Sequence, residues 1–160
     1  MNGSVKDHII NALQTAEKLY FRLVMLVGDA GSGKTKVLRS LGDEFNTEVI
    51  NVNLQLSRAL LELTDTQRVL QVRQHLEAIV DKATPPVLLD NLEILFDSTL
   101  QQDPLRLLQG ISRNKLIVAS WNGFSDQGKL VYAEAGHPEY RHYDTADILW
   151  VNMDGTSSID

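Results

Sequence analysis

Phe21-Arg22-Leu23-Val24-Met25-Leu26-Val27 runs directly into Gly28-Asp29-Ala30-Gly31-Ser32-Gly33-Lys34-Thr35. The first stretch is a short apolar run ending at glycine, the pattern of a strand buried in a parallel sheet. The second matches G-x-x-x-x-G-K-[ST], and Lys36-Val37-Leu38-Arg39-Ser40-Leu41 continues it as a helix. Strand, glycine loop and helix form the setting in which this pattern has a mechanism. Its glycines let the backbone turn tightly and point successive N–H groups inward at a helix N-terminus, making a nest for anions. Gly28, Asp29, Ala30, Gly31, Ser32, Gly33, Lys34, Thr35 and Lys36 are therefore the expected phosphate contacts. Lys34 would reach the β- and γ-phosphates, and the Thr35 hydroxyl would ligate Mg²⁺. The plainer reading is a glycine turn before a surface helix with an exposed lysine. Pattern and flanks together favour a nucleoside-triphosphate site.

The 160 residues suit a single domain with a real core: an N-terminal helix over 1–20, a core over 21–122, and a hairpin and last strand over 123–160. With 43% hydrophobic and 22% charged residues, the composition is that of an ordinary soluble globule. There are no cysteines, which excludes disulfides, thiolate nucleophiles and cysteine-bound zinc. No apolar run approaches the ~18 residues of a membrane span. Met1 to Asp7 carries no basic stretch followed by an apolar block, so a cytoplasmic location is expected. The net charge of −6 argues against a general nucleic-acid coat while leaving room for a local basic patch.

In chain order, Val5 to Tyr20 carries apolar residues near a 3.6 period, with Ser4 as a candidate N-cap. It reads as a helix on the sheet edge, and residues just ahead of a phosphate loop can also touch a base. A helix from Lys34 to about Phe45 follows, then Thr47 to Asn53 as a second strand. Leu54 to Lys82 is helical in two pieces, broken at Thr64-Asp65-Thr66. Arg58, Arg68, Arg73 and His75 mark its polar face, either a solvated surface or a contact for a neighbouring subunit or DNA phosphates. His75 lacks a second ligand at metal spacing.

Pro85-Pro86 stops that helix, and Val87-Leu88-Leu89-Asp90 gives a third buried strand with an acid at its C-terminal end. Ligands of parallel α/β sheets sit at that end. Asp90, about 55 residues after the glycine loop, is thus the second metal-site candidate beside Thr35, in the order of Walker A and Walker B. Many ATPases of the additional-strand class place Glu immediately after this acid to deprotonate the attacking water. This chain has Asn91, which can position water without accepting its proton. Glu93 would share the same side of a helical turn and could substitute.

Asp103-Pro104 looks like a helix start, with Leu105, Leu107, Leu108 and Ile111 as its buried face. Lys115 to Ser120 reads as the fourth strand, running into Trp121-Asn122-Gly123 as a turn. Ser120 and Asn122 are candidates to sense the γ-phosphate from that strand end, and Asn122 is preferred. Beyond it, Tyr132 to Tyr143 reads as a β-hairpin or an ordered loop exposing Arg141, His142 and two tyrosines. Ile148 to Val151 reads as a last strand, and Gly155 to Ser158 as a loose tail.

A GTPase would carry N-K-x-D, and the nearest match, Asn114-Lys115-Leu116-Ile117, lacks the acid. A small-molecule kinase would show an arginine-rich lid, which is not seen. These features predict an α/β P-loop NTPase of the additional-strand, AAA-like kind. It would be a three-layer αβα core with a mostly parallel sheet of about five strands and no separate lid domain. Lys34, Asp90, Asn91, Glu93 and Asn122 would carry catalysis on ATP with Mg²⁺. No arginine is obviously placed in cis, so one from a neighbouring protomer, Arg113 or Arg141, would complete the site in a homo-oligomer. A nucleotide-gated adaptor with negligible turnover is the alternative.

GDAGSGKT, NVNLQLSRALLELTDTQR, LLDNLEILF, QDPLRLLQGISRNK, ASWNG and YAEAGHPEYR together resemble the BrxF family, the small P-loop proteins of type 3 BREX phage-defence systems. The resemblance covers about residues 20 to 143. It implies a bacterial cytosolic ATPase-like subunit acting with other BREX proteins, among them a larger ATPase, a methyltransferase and a phosphatase-like component. Together these methylate host DNA and block phage replication. The family's motif also has Asn after the Walker B Asp.

Overall fold

Leu23–Gly28 (β1) is apolar on both faces because it lies inside a sheet covered on both sides. A computed structural model describes residues 2–126, 129–132, 141–144 and 148–158. β1 pairs in parallel with Ile117–Asp126 (β4) on one side and with Leu149–Asn152 (β7) on the other. Val87–Asp90 (β3) lies between β4 and Val49–Asn51 (β2), again in parallel. The order is β2-β3-β4-β1-β7, so β4 is inserted between β1 and β3. Past the parallel region, β4 continues into an antiparallel ribbon with Lys129–Tyr132 (β5), which pairs with Arg141–Asp144 (β6). The fold is α/β with a mostly parallel sheet, and the ribbon adds two strands to the expected five.

Strand alternation sends residues to two faces. Val24 and Leu26 pack with Asn2–Ala16 (α1) and Lys34–Phe45 (α2) through Ile9, Leu13, Leu38 and Leu41. Leu23, Met25 and Val27 face Val52–Leu60 (α3), Asp65–Asp81 (α4) and Pro104–Ile111 (α5), through Leu56, Leu76 and Leu108. Helices on both faces make three layers.

Local chemistry explains most boundaries, including those that differ from expectation. Thr64 and Gln67 form a reciprocal capping box, which starts α4 at the expected break. The Asp103 carboxylate accepts the Arg106 N–H, with Pro104 at the first turn of α5. Ser4 is not an N-cap, since α1 already runs from Asn2 and ends at Ala16, short of Tyr20. The second strand is three residues rather than seven because the Asn51 side chain accepts the Leu54 N–H and opens α3 at once.

The largest departure lies at Trp121-Asn122-Gly123, which continues β4 instead of turning. Trp121 is buried and its indole N–H donates to the Val131 carbonyl at 3.1 Å, a bond that needs the ribbon alongside. Tyr132, expected on an exposed hairpin, is buried and stacked on Phe96. β5 and β6 do pair as a hairpin, but residues 133–140 and the side chains of Arg141, His142 and Tyr143 lie outside the described residues. The tail after β7 is folded back rather than loose: the Asn152 N–H donates to the Thr156 carbonyl and the Ser158 N–H to the Trp150 carbonyl.

Gly123 is where the ribbon is most constrained, because a Cβ there would sit 1.8 Å from the Val131 carbonyl oxygen. Gly123→Ala is expected to destabilise the protein by about 2–3 kcal/mol, the cost of forced overpacking. Chemical unfolding checks it, and an unchanged midpoint would contradict the close approach of β4 and β5.

Candidate functional site

The C-terminal ends of β1 and β3 lie beside the middle of β4, since Gly28 is in register with Asn122 and Leu89 with Ala119. The five strands of the central path all run towards one edge, and the glycine loop leaves β1 at that edge. Gly33 takes φ 100°, a left-handed conformation that a side chain would resist, and it caps α2 without any side-chain bond. The first N–H groups of α2 thus lack a capping side chain and carry the positive end of the helix dipole.

Lys34 is only 6% exposed, and its ammonium donates to the Gly28 carbonyl at 2.8 Å and the Asp29 carbonyl at 2.7 Å. Burial pulls its pKa below the ordinary lysine value, against the opposing pull of the Asp90, Asp29 and Glu93 carboxylates. Asp90, 5% exposed, is held by two hydroxyls from different elements. Thr35 Oγ1 donates to Asp90 Oδ2 at 2.6 Å, and Ser120 Oγ donates to Asp90 Oδ1 at 2.7 Å.

Between the two sensing candidates the structure divides the work. Ser120 touches Asp90, whereas the Asn122 amide donates to Glu93 Oε1 at 3.1 Å. Asn91 sits at φ 56°, a left-handed position that asparagine tolerates, and its carbonyl accepts the Asn53 N–H at 2.9 Å. The turn that this bend starts becomes a 3₁₀ segment, Glu93–Phe96, which carries Glu93 back beside the site. Thr35, Asp90 and Ser120 thus form one hydrogen-bonded set and Asn122 with Glu93 another, and the charge of Lys34 feels the carboxylates of both.

Other candidates stand elsewhere. Arg113 precedes β4 at the opposite edge of the sheet, where the Arg22 N–H donates to the Ser112 carbonyl. The length of β1 separates it from Lys34, roughly 17 Å at the rise of a strand. Arg68 is not part of a free basic face: its guanidinium donates to the carbonyls of Leu60, Leu61 and Leu63 and closes the end of α3. Lys115 likewise donates to the carbonyls of Val80, Asp81 and Ala83. His75 has no clustered ligands, and no group of three His, Cys, Asp or Glu among the described residues is placed to hold a metal. No described helix is long and apolar enough to cross a membrane.

One neighbour escaped the sequence reading. The turn after β7 brings Met153 against the loop: its N–H donates to the Val27 carbonyl, and a Cβ on Gly28 would lie 2.7 Å from its Cγ. Nothing in the local pattern marks this, because the contact depends on β7 pairing with β1.

No family model matches the chain, and no solved structure matches it. An alignment 58 positions long, covering 33% of the chain and 1% of the other protein's length, is 33% identical to midasin of Dictyostelium discoideum.

The Lys34 environment has a measurable consequence. Its folded pKa lies below the unfolded value, so the charged amine weighs against folding at neutral pH. That penalty fades as pH rises through the folded pKa toward 10.5. In urea unfolding, the wild type should gain stability relative to Lys34→Met over that window. A pH-independent difference would contradict the buried, desolvated amine.

Proposed function

We propose that the chain is a P-loop NTPase that binds ATP with Mg²⁺ at the glycine loop and hydrolyses it slowly. The observation that carries this reading is the 2.6 Å bond from Thr35 to Asp90, which joins loop and strand beside the buried Lys34. The N–H groups of residues 28–36 would cradle the phosphates, and Lys34 would leave two carbonyls to meet their charge. A hydroxyl and a carboxylate in contact suit Mg²⁺, which keeps several waters and takes few protein oxygens beside substrate phosphates. Thr35 and Asp90 would hold the ion, which would supply positive charge against the charge that develops as the terminal bond breaks.

Glu93 is the group with a base's chemistry. Its carboxylate would take the proton of the attacking water while the water oxygen bonds to the γ-phosphorus and ADP leaves. Asn122 would orient that carboxylate, and Ser120 would keep Asp90 turned toward the metal. Asn91 shapes the backbone between them. An arginine from a second copy would complete the charge clamp, with Arg113 or Arg141 as the candidate, so the active form is a homo-oligomer. The absence of N-K-x-D at Asn114 to Ile117, and the capping role of Lys115, favour ATP over GTP.

The motifs that resemble BrxF support placing this subunit in a bacterial cytosolic BREX defence assembly, acting with its partner proteins on DNA. A second reading rests on the Asn122–Glu93 bond, which engages the one carboxylate suited to act as base. In it, nucleotide binding switches partner affinity and turnover is negligible.

Calorimetric titration with ATP and Mg²⁺, beside phosphate release at several protein concentrations, tests both. Lys34→Ala should abolish binding. Glu93→Gln should keep binding and lower turnover about 10²- to 10⁴-fold, the usual contribution of a general base. Arg113→Ala or Arg141→Ala should remove any rise of specific activity with concentration. Binding with no release above the Lys34→Ala background selects the switch, and absence of binding rejects both readings.

A further inference from the structure

At the sheet edge opposite the glycine loop, three guanidiniums and two aromatic rings line one shallow cleft. Arg73 comes from α4, Arg106 from α5 and Arg113 from the segment before β4, with Tyr20 and Phe21 just ahead of β1. The cleft encloses about 230 Å³, and no carboxylate is among its lining residues. Such a concentration of cations contrasts with the chain's net charge of −6.

The individual contacts show which groups are available. Arg113 lies over the Tyr20 ring, 4.6 Å from its centroid, and makes no ion pair with any described carboxylate. Arg73 is paired with Glu77 at 2.8 Å, and its guanidinium lies close against Gly110 in the wall of the cleft. Arg106 reaches Asp103 only at 3.5 Å and is 85% exposed. Tyr20 is 64% exposed, with Phe21 edge-on to it at 4.9 Å. A large aromatic left this open, with a cation on one face and a second ring fixing its tilt, still offers apolar surface to a flat partner.

We propose that this cleft binds single-stranded nucleic acid, with a base stacked at Tyr20 and the flanking phosphates on Arg73, Arg106 and Arg113. Several guanidiniums around an exposed aromatic match an alternating partner of planar bases and phosphates. An acidic peptide would use the guanidiniums but leave the aromatic platform idle. A duplex hides its base faces, so the same platform selects against it. The site is separate from Lys34 and Asp90 and does not rest on the proposed ATPase activity.

The test is fluorescence anisotropy with labelled oligo-dT and oligo-rU of about 16 nucleotides, titrated with the full chain at several salt concentrations. Binding should weaken with salt, with a slope of log K on log salt of roughly −2 for three contacts at ~0.7 each. Tyr20→Ser and Arg113→Ala should each weaken it at least about fivefold, while Tyr20→Phe retains it. Lys34→Ala and Arg58→Ala should leave it unchanged, separating the cleft from the glycine loop and from the face of α3. Circular dichroism on each variant confirms that the fold is intact.

Preference for dT or rU identifies which strand the cleft favours within the proposal. Three results overturn it: no salt-dependent binding, binding that ignores Tyr20 and Arg113, or equal competition by duplex DNA or an acidic peptide.

Discussion

The buried Asp90 carboxylate is the constraint on which the arrangement depends. Taking a carboxylate out of water is costly unless hydrogen bonds replace its hydration. Here two hydroxyls do so, Thr35 from the start of α2 and Ser120 from β4. The carboxylate therefore ties together three elements that meet only if β4 lies between β1 and β3. Strand order and site chemistry are one requirement: with β4 elsewhere in the sheet, Asp90 would lose a partner and Thr35 its alignment.

Around that point the sheet does the positioning. All five strands of the central path run in the same direction, so their C-terminal ends gather at one edge and their connections lie on both faces. Apolar alternation fixes which residues of β1 face α2 and which face α4. At the gathered edge the glycine loop can present backbone N–H groups without competing side chains. Lys34 fits only because two carbonyls of the same loop accept its hydrogens. The loop thus holds its own cation in place.

Some parts of this were legible in residue order, and the reason is local. β3 ends at Asp90 and α2 spans Lys34 to Phe45 as expected, because apolar runs there are cut by sharp punctuation: Pro85-Pro86 before one, Gly33 before the other. Asp103 and Thr64 announce helix starts with their own side chains. Misjudged segments are those where a distant partner overrides a local signal. Asn122-Gly123 has turn chemistry, yet Trp121 needs an acceptor for its indole and finds it on β5, so the strand continues. Ser120, the less favoured of the two strand-end candidates in the sequence, becomes a partner of Asp90 through register. Met153 reaches the loop because β7 closes the far side of β1.

The pair Asn91 and Glu93 shows how one short segment separates two demands. After Asp90 the chain must turn away from the sheet, and a left-handed residue accomplishes that in one step. Asparagine accepts that conformation more readily than glutamate, and its carbonyl also anchors α3 through Asn53. A glutamate at 91 would set a carboxylate directly after Asp90 at the cost of backbone strain. With the turn made by Asn91, the following 3₁₀ segment returns Glu93 to the edge of the site, where Asn122 receives it. The backbone bend and the acid function are thereby carried by different residues. The carboxylate is then held by a neutral amide, a donor that another donor could replace without leaving a charge unpaired.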